Sequence, residues 1–255
     1  MDASEMKLYL DALAEKYNDR SFIPCDPISI PHRFSNRNDI EASALLTATI
    51  AWGRRDLILR SATNMLNMMS DEPYHFITEA SEKETDRLKH FVHRTFNGED
   101  AITFITCLRN IYSAYGSLEE VVAEGLTQRG TMKEAIIHLH KVFFMAPHKH
   151  RAERHLSDVS KGSAGKKINM FLRWMVRNDN RGVDFGIWES IDQAQLYIPL
   201  DLHAGNTARK LGLLTRNQND WKAVEELTSV LRMFDPYDPV KYDFALFGAG
   251  VNNEM

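Results

Sequence analysis

A run of small residues, Lys161-Gly-Ser-Ala-Gly-Lys-Lys167, leads straight into Ile168-Asn-Met-Phe-Leu-Arg-Trp-Met-Val176. This junction constrains the fold more than any other stretch. Glycine turns tightly because it tolerates positive φ. The segment after it is apolar nearly all round, which marks a helix buried inside a domain. Together they read as a tight turn opening a core helix, with Lys166 and Lys167 at its mouth. Amides of such a turn point outward, and at a helix start they make an anion site that the helix dipole reinforces. A plain surface turn with solvated lysines is the other reading of the same residues.

Helical periodicity continues along the chain. Residues 6–17 read as an amphipathic helix with Leu8, Leu10, Leu13 and Tyr17 near one face. Pro24, Pro27 and Pro31 exclude a regular helix from the loop that follows. Asp39 reads as the cap of a nearly all-apolar helix ending at Trp52, and Gly53-Arg54-Arg55-Asp56 separates it from a helix at Leu57–Met69. Further helices are expected at Ser81–Phe96, 100–114, from Ser117 and at 131–144. The polar run Pro147–His155 reads as a solvated connection. His148, His150 and His155 there offer nitrogen ligands, but no metal site is assigned. Helices are expected again at 203–214, at 221–234 behind Asp220, and at 240–247, ended by Gly248-Ala-Gly250. No stretch alternates as a strand should, and no repeat is found. The fold class is all-α, with roughly ten helices by apolar period.

Composition narrows the chemistry. A net charge of -4 and a pI near 6.2 mean that any nucleic-acid contact must come from a local basic patch. Cys25 and Cys107 cannot supply a disulfide framework, a multi-thiolate zinc site or a four-cysteine cluster. No apolar run reaches the length of about 18 residues that suggests a membrane span. The start, Met1-Asp-Ala-Ser-Glu5, shows no leader pattern, so a reducing cytoplasm is expected.

One helix and a return loop beyond the lysines stands Pro199-Leu-Asp-Leu-His203. Capping the next helix is the commonest role for an Asp such as Asp201. His203 suits either a buried or a surface position. Lysine is also the usual Schiff-base nucleophile when its pKa is lowered, and a nearby carboxylate steadies a developing cation.

The turn Gly162-Ser-Ala-Gly-Lys166, the apolar helix, the loop reaching Asp201 and the run Asn206-Thr-Ala-Arg-Lys-Leu-Gly-Leu213 together resemble the helix-hairpin-helix DNA glycosylase superfamily, in its 8-oxoguanine glycosylase/AP lyase-like form. Ala44–Thr49 and Tyr242–Gly250 are similar to that superfamily's early and last core helices. Ala164 replaces a hairpin glycine, and Gly165 stands where a polar residue is common. The chain also resembles an uncharacterised bacterial family of DUF2400 type, through Pro31–Phe34, Arg173–Arg177 and Phe234–Asp243.

The superfamily resemblance implies one two-lobed helical unit over 1–255, with 36–150 as one lobe and 1–35 plus 151–255 as the other, and DNA at their junction. It implies a DNA repair glycosylase, with or without an AP lyase step, acting on double-stranded DNA that carries a damaged base. Lys166 is the preferred nucleophile, because Asn169 then lies three residues on, and Lys167 is the other candidate. Asp201 would stabilise the cationic sugar. Gly162, Ser163, Ala164 and Gly165 would grip phosphate, and Arg54, Arg55, Arg173 and His203 would add DNA contacts. No cofactor, metal, membrane or obligate protein partner is implied. Trp52, Trp174, Trp188 and Trp221 read first as core residues. A non-catalytic DNA- or RNA-binding module and a purely structural helical protein remain the alternatives.

Overall fold

The computed structural model describes residues 1–252. The chain forms two compact units, Met1–Ile23 with Val159–Met255, and Pro24–Asp158. The first unit opens with α1 (Ala3–Tyr17), started by a reciprocal capping box between Asp2 and Glu5. Its inward face is Met6, Leu10, Leu13 and Ala14. Leu8 is 71% exposed, so that face is rotated from the expected one.

The Pro24–Asp158 unit begins with short 3-10 turns at Pro27–Ser29 and Pro31–Arg33, as its prolines require. Helix α2 (Arg37–Ile50) is capped by Asn36. Asp39, expected to be that cap, instead accepts the Tyr74 amide at 3.0 Å. Residues 40–50 of α2 are all buried, including Glu41, whose carboxylate accepts the Leu118 amide at 2.9 Å. A carboxylate against a helix start is favourable, which explains an acid in this core. Helices α3 (Arg55–Met68), α4 (Pro73–Glu79) and the single turn α5 (Glu82–Thr85) follow.

The helix expected over Ser81–Phe96 is replaced by α5, a 3-10 turn at Asp86–His90 and a small antiparallel pair, β1 (Val92–His93) with β2 (Phe96–Asn97). Phe91 and Phe96 are both buried and meet edge to face, with centroids 6.0 Å apart. Arg94 turns the chain between the strands at φ 55. Asn97 then caps α6 (Gly98–Tyr115). A Cβ on Gly98 would lie 2.3 Å from the Lys89 carbonyl oxygen, so only glycine lets α6 start against the 3-10 turn. Helices α7 (Leu118–Arg129), capped by Ser117, and α8 (Met132–Phe143), capped by Thr131, complete the unit.

The other unit resumes with α9 (Lys166–Val176), buried from Ile168 onward. The returning chain caps its end, with the Phe185 amide donating to the Trp174 carbonyl at 2.8 Å and the Trp188 amide to that of Met175 at 2.9 Å. Trp188 packs edge to face on Phe171 at 5.4 Å. Then come α10 (Leu202–Lys210), α11 (Trp221–Phe234) and α12 (Tyr242–Asn252). Helix α12 runs on through Gly248 and Gly250, which were expected to end it. A Cβ on Gly248 would fall 2.3 Å from the Tyr17 ring, and one on Gly250 would fall 2.7 Å from the Thr207 hydroxyl. These glycines admit α1 and α10 rather than stopping the helix. Trp174, Trp188 and Trp221 are core residues, as read.

A buried ion network holds this unit together. Arg173 donates from Nε to Asp184 at 3.1 Å and pairs closely with Asp243. Arg177 donates from Nε to both Asp238 oxygens at 3.0 Å, and it meets Asp184 at 3.1 Å and Asp179 at 2.8 Å. Both guanidiniums lie over the Phe244 ring, 4.3 and 5.4 Å from its centroid. Arg173 was expected to touch DNA. Its side chain is only 4% exposed and is committed to this network, so it presents no guanidinium to solvent.

The fold is all-α apart from the two-residue strands, and no described helix is long and apolar enough to cross a membrane. Removing one partner from a buried network leaves uncompensated charge, so Arg177→Met should lose about 3–5 kcal/mol. Arg216→Ala, which breaks a partly exposed pair with Asp220, should cost far less. Equilibrium urea denaturation of both variants reads the difference.

Candidate functional site

The turn ahead of α9 forms as its glycines require. Gly162 has φ +86 and Gly165 has φ +61. The turn closes on the start of α11: the Trp221 amide donates to the Gly162 carbonyl at 3.1 Å, and Ser163 pairs with Asp220 in an antiparallel bridge. Asp220 also caps α11, and the Arg216 guanidinium on it holds its pKa down to about 2. Two of the amides expected to grip phosphate already have partners. That of Gly162 donates to the Val159 carbonyl at 3.1 Å, and that of Gly165 to the Ser163 hydroxyl at 3.3 Å. Gly165 is the N-cap of α9 and offers no side-chain cap, so no side chain at the cap position offsets the positive end of that helix.

The two lysines differ. Lys166 reaches back along α9 and donates to the Met170 sulfur at 3.3 Å. Burial pushes the Lys167 ammonium down to about 8, with Lys166 next to it adding to the fall. Asn169 donates from Nδ2 to the Ala164 carbonyl at 3.3 Å and so braces the turn, while its buried Oδ1 has no hydrogen-bond partner.

Asp201 caps α10, its carboxylate accepting the Ala204 amide at 2.9 Å. Asn219 donates to its carbonyl at 3.1 Å and fixes the same corner. Close by electrostatically lies Asp243, a residue that sequence reading missed. Burial raises its pKa to about 6; Arg173 opposes the rise, Asp201 adds to it and Lys166 opposes it. Lys166, Asp201 and Asp243 thus share one electrostatic neighbourhood within one unit. The missed signal was the run Phe234–Asp243, which was read only as a family signature although it carries Asp238 and Asp243.

The remaining expected contacts are dispersed. His203 is exposed on α10, where it lines a cavity of about 390 Å³ with Arg209, Lys210 and Gly250. Arg54 and Arg55 lie in the other unit at the start of α3. Arg54 is exposed and forks onto Asp56 at 3.1 and 2.8 Å. The run 147–155 is not solvated throughout, because 150–155 is a 3-10 turn that buries Ala152 and His155. His155 sits 3.2 Å from Asp100 and stacks on Trp52.

The left-handed turn tests the site's architecture. A Cβ on Gly165 would lie 2.8 Å from the Val159 side chain, whereas one on Gly162 would meet nothing within 4 Å. Gly162→Ala should cost about 1–2 kcal/mol for its positive φ alone. Gly165→Ala should cost more, because the overlap adds to the same strain. Thermal denaturation of the two variants, compared with wild type, measures the gap.

Residues 26–252 match a family model described as protein of unknown function (DUF2400). No curated protein and no solved structure matches the chain.

Proposed function

The chain belongs to the DUF2400 family, and from that premise we propose a DNA repair glycosylase with an AP lyase step, its chemistry carried by Lys167 and Asp201. The observation that carries this reading is the lysine pair at the mouth of α9. With its pKa near 8, Lys167 supplies an appreciable share of neutral amine close to physiological pH. Lys166 is placed differently, with its ammonium on the Met170 sulfur and its field on Asp243. The proposal therefore moves the nucleophile from the residue preferred on sequence to its neighbour. The superfamily resemblance supports the same reading through its order of parts: turn, core helix, Asp-headed helix.

In this mechanism the start of α9 binds a backbone phosphate. A damaged nucleotide leaves the stack, at a cost of a few kcal/mol that is least for a lesion. Lys167 attacks the sugar C1′ as a neutral amine while the base departs. Asp201, ionised, stabilises the positive charge that develops on the sugar. The departing base takes up a proton, opening of the C1′–O4′ bond with loss of the amine proton gives a Schiff base, and loss of a C2′ proton from it expels the 3′ phosphate and cuts the strand. Asp243, which is coupled electrostatically to Asp201, adds negative potential to that corner.

Borohydride trapping on duplexes bearing different lesions tests this. Wild type should give a covalent adduct, Lys167→Gln none, and Lys166→Gln a reduced amount. Asp201→Asn keeps the helix cap, since Asn caps as well as Asp. Loss of base release in that variant therefore reports the charge. Trapping should rise with pH through about 8, as Lys167 loses its proton. No adduct on any lesion would sink the Schiff-base step. DNA binding that persists without an adduct or base release would instead identify a non-catalytic hairpin module. Binding should weaken steeply with salt, because phosphate contacts release counterions.

A further inference from the structure

We propose that His148 Nε2, His150 Nδ1 and Glu153 Oε1 form a binding site for a divalent transition-metal ion in the Pro24–Asp158 unit. The three atoms lie within 4.8 Å of one another. Both histidine nitrogens converge on one carboxylate oxygen, at 3.0 Å from His148 and 2.8 Å from His150. A 3-10 turn over 150–155 makes this possible, because residues three apart eclipse one another in that helix. His148 joins from just upstream, its ring over Phe144 at 4.8 Å.

The hydrogen bonding at His148 points to a cation. Its Nδ1 lies 2.7 Å from the Ala146 carbonyl oxygen, so that nitrogen must carry the proton. A neutral imidazole has only one N–H. Its Nε2 therefore meets the Glu153 oxygen either as the second N–H of an imidazolium or as a lone pair that shares a metal ion with that oxygen, and titration with a metal separates the two. Metal-bound histidines characteristically donate their other ring nitrogen to a carbonyl in this way, which fixes the tautomer and the ring direction.

The donor set selects the ion. Two imidazoles and one carboxylate suit zinc and its neighbours, while calcium and magnesium require oxygen-rich shells. Metal–donor distances of about 2.0–2.2 Å put tetrahedral ligands roughly 3.3–3.5 Å apart. The two nitrogen–oxygen spacings reach that with shifts of a few tenths of an ångström, and the two nitrogens lie within 4.8 Å of each other. His150 is 95% exposed, which leaves a fourth position open to water. A cavity of about 420 Å³, lined by His148, Lys149, Glu99 and Thr103, adjoins the site. The sequence offered His148, His150 and His155 as ligands. The structure turns His155 inward onto Asp100 and brings Glu153 in its place.

Untagged full-length protein carrying Cys25→Ser, titrated with zinc by calorimetry, tests the assignment. Wild-type chemistry at the three residues should bind one zinc per chain. His150→Ala and Glu153→Gln should each weaken binding at least about tenfold. His75→Ala, an exposed histidine elsewhere in the same unit, should leave it unchanged. Because His150 is so exposed, its loss reads as a missing ligand rather than as unfolding. Cobalt should give a visible ligand-field band that His150→Ala abolishes. Failure to bind zinc stoichiometrically, or unchanged affinity in both His150→Ala and Glu153→Gln, overturns the proposal and leaves a proton as the cation at this position.

Discussion

Arg173 on α9 and Arg177 at its C-terminal cap bind four carboxylates from three separate segments, and the geometry of that unit hangs on this knot. Asp179 and Asp184 come from the loop after α9, Asp238 from the turn after α11, and Asp243 from α12. Phe244 supplies a flat face under both guanidiniums. Desolvating so many charges gives no large net stability compared with an apolar core. It does tie three segments to one helix end, because both arginines are fully paired only when those segments meet there. The knot carries more acid than base. Burial acts on that surplus at Asp243, which sits at the edge nearest Asp201 and Lys166.

This arrangement links the core to the chemistry proposed for the lysines. Helix α9 is anchored at its C-terminal end by the ion network and by amides from the returning chain. Its N-terminal end is gripped by the glycine turn paired with α11. Lys166 and Lys167 therefore project from a helix fixed at both ends. Adjacent residues on a helix point about a quarter-turn apart, so two neighbouring lysines meet different surroundings. One lies along the helix on a sulfur. The other is buried enough for its pKa to fall.

What the sequence revealed follows the range of each interaction. The apolar period of α9, the Asp201 cap, the Asp220 cap and the glycine turn are local and were legible. Arg173 was also legible as a charge on the helix after the turn, but it was assigned to DNA. Asp238 and Asp243, the partners of Arg177 and Arg173, lie 61 and 70 residues away in sequence, beyond the reach of periodicity. Ser81–Phe96 misled for a similar reason. Its charges and apolar spacing fit a helix, whereas the burial of Phe91 and Phe96 against α6 decides for a turn and a hairpin. At Gly248 and Gly250 the usual terminator reading fails because the neighbouring elements need the space.

The order of the two units along the chain bears on how the molecule is made. Residues 24–158 are continuous, and their contacts are complete once that stretch has left the ribosome. Helix α1 must wait much longer. Its tightest partner is Gly248, and Asp11 on α1 accepts from the Tyr242 hydroxyl at 2.9 Å and from Lys241 at 3.0 Å. Contacts so distant in sequence form slowly, because a long loop must close before they yield anything. During synthesis α1 therefore exists with its apolar face uncovered, on one side of a domain that has already folded. The unit bearing the lysines and acids is the last to assemble, and the neighbourhood shared by Lys166, Asp201 and Asp243 cannot exist in any nascent chain that stops short of α12.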